Sequence, residues 1–350
     1  MSKALNDLLR ATSRSFYLTL RVLPAAVRPQ IGLAYLLART TDTIADTELV
    51  PPAQRLAALQ ALRGRILGTS AAPLDFGALA RSQAAPAERA LLENVEAALA
   101  ALQKLSAADL QLTRAVLDTI TSGQELDLQR FAVGSSAFRR QDASPPEGGT
   151  PNIIALRTDA ELDDYTYRVA GCVGEFWTKI CRAHIFPNAK LDDAQLLADG
   201  IRFGKGLQLV NILRDLPADL RNGRCYLPAE DLTRLGLSPA DLLDPASGPK
   251  LRPLYNEWLD RAESHLAAGW SYTNSLPWSC MRVRLACAWP VLIGSETLRR
   301  LRAADILDAR QRVKISRSEV KRLMLRSVLL YPFPTAWQKL FPPTNKRLQA

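Results

Sequence analysis

The sequence predicts an all-α protein, and three observations carry that expectation. Long Ala-, Leu- and Arg-rich tracts dominate a chain of 350 residues that is 47% hydrophobic. Apolar residues within those tracts recur with the period of a helix. Strand signals are almost absent, and Gly and Pro are scattered, which also argues against a fibrous or disordered chain. A chain of this length can bury a substantial core.

The first clear element is "IGLAYLLARTTDTIADT", where Leu33, Leu36, Leu37 and Ile44 form an apolar stripe and Asp42 and Asp46 stack on a neighbouring one. "PAERALLENVEAALAALQKL" and "ADLQLTRAVLDTITSGQELDLQRF" read as long core helices. Residues 132–152 collect Ser, Pro and Gly without a period and predict an exposed loop or lid. Helix resumes in "AELDDYTYRVAGCVGEFWTKICRAH" and "DAQLLADGIRFGKGLQLVNILRD", and breaks at "NGRCYLPAEDL". "LYNEWLDRAESHLAAGWSYTN", "MRVRLACAWPVLIGSETLRRLR" and "RSEVKRLMLRSVLL" follow before a Pro-rich end that stops further helix.

The net charge of +10 lies entirely in the tail, since residues 299–350 hold 13 Lys/Arg against 3 Asp/Glu. Such a run fits a solvated helix face, a nucleic-acid patch or a surface that meets anionic lipid. The five cysteines are odd in number, widely spaced and without a C-x-x-C pair, so neither a disulfide framework nor a zinc site is expected. A reducing cytoplasm fits them. "MSKALNDLLRATSRSF" has no apolar h-region and no run reaches the length of a spanning helix, so neither secretion nor membrane crossing is expected. His184 and His265 stand alone and receive no role.

Asp42 and Asp46 find a counterpart in Asp215 and Asp219, again four residues apart after an apolar helical run. Residues at that spacing share a helix face, and unpaired carboxylates there repel unless basic groups or a cation neutralise them. One D-x-x-x-D is more often an exposed helix face than a metal site. Two such pairs on facing helices would enclose a polar cleft, and all-oxygen donors favour Mg²⁺, which keeps several waters and bridges to substrate phosphates. Arg39 lies one turn before Asp42 and Arg214 directly precedes Asp215; Arg14 and Arg224 are further cations suited to phosphate.

"SRSFYLTLRVLP", "YLLARTTDTIADT", "YTYRVAGCVG" and "LQLVNILRDLPADLRNGRCYLP" stand in this order in the chain. In that combination the sequence resembles the squalene and phytoene synthase family of head-to-head prenyl synthases, over roughly residues 10–300. The resemblance implies a single-domain isoprenoid synthase fold, with helices around a central active-site cavity. The catalytic domain would cover residues 1–305, with 306–350 a basic extension that packs on it and meets NADPH or a membrane surface.

By position, the resemblance makes Asp42, Asp46, Asp215 and Asp219 the Mg²⁺-binding carboxylates. Ser13, Arg14, Ser15, Arg39, Gln208, Asn211, Arg214 and Arg224 would bind diphosphate. Tyr165 matches the tyrosine that the family places near the departing diphosphate and the carbocation, whereas Tyr167, two residues on, should face elsewhere. Phe16, Val169, Ala170, Gly171, Val173 and Gly174 would supply apolar walls that shield the cation; the small residues of "VAGCVG" are equally expected at a tight helix crossing.

The implied reaction joins two farnesyl diphosphates through presqualene diphosphate, followed by NADPH-dependent reduction to squalene. Without reduction, the product is dehydrosqualene, phytoene or presqualene diphosphate itself. "DTIAD" resembles the squalene synthase version, and "RVKISRSEVKRLM" resembles that enzyme's NADPH segment, which makes Lys314 and Arg317 the candidates for the cofactor's phosphate. Ala45 and Ala218 stand where squalene synthases often have a third acid, and Pro217 removes a backbone donor and could kink the helix within the second pair. Two other classes remain: a nucleic-acid binder, which the acidic pairs oppose and for which no recognition motif is present, and a silent interaction subunit of a synthase complex. The expected location is cytoplasmic, with peripheral contact at the inner face of the membrane.

Overall fold

A computed structural model describes residues 2–13, 16–47, 49–138, 153–308, 310 and 312–341, with the side chains of Phe16 and residues 132–138 left aside. The expectation of an all-α chain is met. In order, the helices are α1 (Lys3–Thr12), α2 (Phe16–Val22), α3 (Arg28–Asp46), α4 (Pro52–Leu67), α5 (Gly77–Arg81), α6 (Pro86–Glu93), α7 (Val95–Leu102) and α8 (Ala107–Phe138). They continue as α9 (Asp159–Thr166), a π-helical turn (Tyr167–Gly171), α10 (Cys172–His184), α11 (Asp193–Arg221), α12 (Ala229–Arg234), α13 (Gly248–Ser275), α14 (Met281–Ala303), α15 (Arg317–Leu330) and α16 (Pro334–Gln338). Two-residue strands β1 (Ile154–Ala155) and β2 (Arg224–Cys225) pair in parallel, with Ile154 opposite Arg224.

The boundaries follow local chemistry. Ser2, Thr158 and Ser316 accept backbone N–H groups at the starts of α1, α9 and α15, and Ser316 forms a reciprocal capping box with Glu319. Proline occupies the first turn of α3, α4 and α6, where its missing N–H costs nothing. Gly223, at φ 76°, lets the chain turn from α11 into β2 in a conformation that a side chain would oppose.

The chain divides into two compact units, residues 1–129 with 172–192, and residues 130–171 with 193–350. In the first, α3 packs against α1, α2, α4, α6 and α7. The stripe read from the sequence is its inner face: Leu33, Leu36, Leu37 and Ile44 are all buried. In the second, α11 lies along α13, and both pack on α14, which carries α15. The α11–α13 crossing is close enough that a Cβ on Gly206 would come within 2.9 Å of His265 Cβ.

Two sequence expectations need correction. The tract "PAERALLENVEAALAALQKL" is two helices, because Asn94 leaves helical geometry (φ −103°, ψ 15°) and its amide donates to Ala90 O at 2.7 Å, competing with the backbone ladder. The loop expected over residues 132–152 does not begin at 132: α8 runs on to Phe138, and residues 139–152 lie outside the described residues. Pro217 lies inside α11, which extends beyond it to Arg221. Proline withholds the N–H that the carbonyl of Leu213 would have accepted. Tyr255 of α13, fully buried, donates its hydroxyl to that carbonyl at 2.8 Å instead.

Candidate active site

The first acidic pair ends α3. Asp42 is half-buried and Asp46 exposed, so the pair sits where a helix held by apolar contacts reaches water. Gln124 of α8 donates its amide N–H to Asp42 Oδ1, while Arg39 stands 3.8 Å from Asp42 and is drawn to Glu88 of α6 at 2.5 Å. Burial, and then the charge of Asp46, push the Asp42 carboxyl up to about 6, against the pull of Arg39 and Gln124. Since 46% of its side-chain surface still meets solvent, that carboxyl is crowded without being sealed off. Arg55, buried in α4, donates to Ala45 O at 2.5 Å and places a cation at the negative end of α3.

The second pair belongs to the last turns of α11, where Asp215 and Asp219 are both half-buried. Arg214 grips Asp215 with two bonds, Nε to Oδ1 at 3.0 Å and Nη2 to Oδ2 at 2.5 Å, and Arg312 adds a contact at 3.5 Å. The Arg312 contact brings the "VKISR" segment alongside this pair. Within that segment Lys314 and Arg317 are exposed and in no ion pair among the described residues.

Tyr165 lies at the end of α9, its ring stacked on Tyr226 with centroids 4.8 Å apart, and Phe131 meets Tyr226 edge-on at 5.5 Å. Tyr167 faces elsewhere as expected, beneath the Lys205 ammonium at 5.9 Å. Of the small residues that follow, Val169 and Ala170 are half-buried and Gly171 buried in the π-helical turn. This turn meets α11 so closely that a Cβ on Gly204 would lie 2.1 Å from Ala170 O. Val173 is 39% exposed and Gly174 half-buried, both on α10.

Among the remaining candidates, Ser13 is buried and donates to Leu9 O at 2.5 Å. Gln208 is half-buried, Asn211 exposed and Arg224 half-buried in β2. Arg14 and Ser15 lie outside the described residues, as does the side chain of Phe16. His184 is 2.8 Å from the buried carboxylate of Asp109, and His265 sits in the α11–α13 crossing, where burial and then Arg202, Lys205 and Arg261 push it down to about 4. Reading the sequence missed Gln124, Glu88, Arg55, Tyr226 and Arg312, although Arg312 and Tyr226 lie within quoted segments.

Each acidic pair offers hard carboxylate oxygens with access to water. No group of three or more His, Cys, Asp or Glu is gathered for a metal among the described residues. A cation at either pair would therefore complete its shell with water and substrate oxygens, which suits Mg²⁺ and not a metal caged by protein. The open cations Lys314 and Arg317 likewise suit an anionic group such as the phosphate of NADPH.

A family profile for squalene/phytoene synthase matches residues 9–319. The chain belongs to the squalene/phytoene synthase family. Members of this family are head-to-head prenyltransferases. The bifunctional lycopene cyclase/phytoene synthase of Gibberella fujikuroi is 30% identical over 73% of the chain, which covers 40% of that longer relative. The chain thus spans less than half the length of such bifunctional relatives. The presqualene diphosphate synthase of Rhodopseudomonas palustris is also 30% identical, over 76% of this chain and 77% of its own. The solved complex of TcSQS with a ligand superposes with a TM-score of 0.71 at 21% identity, covering 97% of this chain and 96% of that one. The all-α isoprenoid synthase fold is shared with it.

Proposed function

We propose that this chain joins two molecules of farnesyl diphosphate head to head into presqualene diphosphate, and then reduces that product to squalene with NADPH. The observation that carries the reading is the pair of carboxylate couples at i and i+4, each on a long helix with an arginine beside it, in a chain of this family. Asp42, Asp46, Asp215 and Asp219 would hold Mg²⁺, which when bound neutralises the charge that builds on a departing diphosphate.

The chain's own residues bind and orient. Arg39, Arg214 and Arg224 steady the diphosphate oxygens, and Gln124 fixes the Asp42 carboxylate. The C1–O bond of one substrate breaks, diphosphate leaves with the electron pair, and the C2,C3 double bond of the second attacks the allylic cation. Loss of a proton then closes the cyclopropane ring. Tyr165, its ring held by Tyr226, is the group to hold that proton or the departing diphosphate at its hydroxyl. For the second step, Lys314 and Arg317 would hold the phosphate of NADPH, which when bound would supply the hydride that reduces ionised presqualene diphosphate.

The likeness to the Rhodopseudomonas palustris presqualene diphosphate synthase favours a second reading, in which the reaction stops at the cyclopropyl diphosphate. Product analysis by mass, from purified protein with farnesyl diphosphate and Mg²⁺, tests both. Squalene appearing only with NADPH supports the first. Presqualene diphosphate with or without NADPH supports the second, and no release of diphosphate overturns both in favour of a silent subunit.

A further inference from the structure

The outward side of α15 carries large apolar side chains exposed to solvent. Its inward side is fixed by Ser327, which is fully buried, accepts the indole N–H of Trp289 at 3.0 Å and donates to Met324 O at 2.6 Å. At about 100° per residue, Leu325 and Leu329 both point away from Ser327, on the opposite face of the helix. They are 60% and 62% exposed, and Phe333, 60% exposed, continues the apolar line into the turn that follows.

Cations flank this line. Lys321 and Arg322 precede Leu325 by one turn and Arg326 follows it, all exposed and in no ion pair among the described residues. Glu319, the one acid within α15, is engaged by Arg300 and by the cap at Ser316.

The helix is held firmly. Tyr331 donates its hydroxyl to Trp278 O and stacks on that ring at 4.5 Å. The fully buried Trp337 donates to Asn274 Oδ1 at 2.9 Å. The Arg284 guanidinium lies 4.6 Å from the Trp278 ring and 5.6 Å from Trp337 while donating to Asn274 O and Leu276 O. Trp278 itself is 40% exposed. No described helix is long and apolar enough to cross a membrane.

We propose that this face docks the protein on the surface of an anionic lipid bilayer, with Leu325, Leu329 and Phe333 entering the headgroup layer and Lys321, Arg322 and Arg326 meeting lipid phosphates. An apolar line bordered by uncompensated cations is the pattern of a helix lying in a membrane interface, and the charge complements an anionic leaflet. The inference stands independently of which prenyl product is made.

Flotation of the full-length protein with phosphatidylglycerol–phosphatidylcholine vesicles, against pure phosphatidylcholine, tests it. The protein should float with the anionic vesicles, and its partition should drop about tenfold or more on neutral vesicles or at high salt. Leu325→Ser with Leu329→Ser and Phe333→Ser should lose about tenfold or more in partition, and Lys321→Gln with Arg322→Gln and Arg326→Gln should lose the preference for anionic lipid. Both variants change exposed positions, so circular dichroism should remain that of the wild type. Failure of the wild type to float, or equal flotation by the apolar variant, overturns the proposal. Concentration-dependent dimerisation that the apolar variant abolishes, without vesicle binding, would assign the face to a second copy and overturn it too.

Discussion

The ends of α3 and α11 carry the same spacing of carboxylates in different electrostatic surroundings. At Asp42 the nearest cation is 3.8 Å away and is shared with Glu88, a neutral amide supplies the hydrogen bond, and crowding keeps the proton bound to unusually high pH. At Asp215 two guanidinium groups are already in place, one of them bidentate. Equal spacing therefore does not make equal sites. Asp42 shares its arginine with Glu88, whereas Asp215 is held by positive charge that a diphosphate would also use.

The largest effects should come from removing a member of each pair. Asp42→Ala and Asp215→Ala are each expected to lower diphosphate release from farnesyl diphosphate by about 100-fold or more, as loss of charge stabilisation at a departing group implies, with the helical circular dichroism retained. Full activity in one of them would break the parallel and leave a single functional pair.

A smaller effect separates the pairs by pH. An aspartate ordinarily titrates near pH 4, so with Asp42 at about 6 the metal-free folded state binds more protons than the unfolded state between those values. Stability should fall as pH rises through that window. Mg²⁺ needs the ionised carboxylate, so its stabilising shift in melting temperature should grow as pH rises past about 6. Thermal melts with and without Mg²⁺ across that range measure both trends. Asp42→Asn should flatten the metal-free profile, and an unchanged slope in that variant would refute the assignment.

The smallest effects lie in the supporting groups. Arg312 is 61% exposed, so Arg312→Ala should weaken substrate binding by no more than about fivefold, as an exposed ion pair allows. Gln124→Leu removes the hydrogen bond that favours the Asp42 anion, and should move the pH profile upward while leaving the Asp215 pair unaffected. Competition with inorganic diphosphate reads the first, and the pH dependence of Mg²⁺ stabilisation the second.

The helices and both acidic pairs were legible because each left an anomaly in a regular pattern: four carboxylates interrupt runs whose period otherwise buries Leu36, Leu37, Leu213 and Leu216. Their partners were not. Gln124 is 82 residues from Asp42, and nothing local marks an amide in an amphipathic helix as the neighbour of a distant acid. Tyr226 follows directly on β2, and no spacing in the sequence marks its ring as the neighbour of Tyr165. Asn94 divides a tract whose composition is that of one helix, because the choice between backbone and side-chain hydrogen bonding is made residue by residue. The course of α11 past Pro217 was hidden for a similar reason, since the compensating hydroxyl comes from another helix.

The contact between Tyr255 and the Leu213 carbonyl makes two positions historically dependent on one another. With proline at 217, Tyr255→Phe strands a buried carbonyl and should cost about 1–3 kcal/mol. After Pro217→Ala, the restored backbone N–H takes over that carbonyl, and the same loss of the hydroxyl should cost distinctly less, a coupling that a double-mutant cycle of urea melts would measure. A lineage carrying this proline can therefore shed the tyrosine safely only after the proline has gone, and one lacking the tyrosine meets a barrier to acquiring the proline. The order in which the two substitutions arrive decides which paths between related sequences remain open.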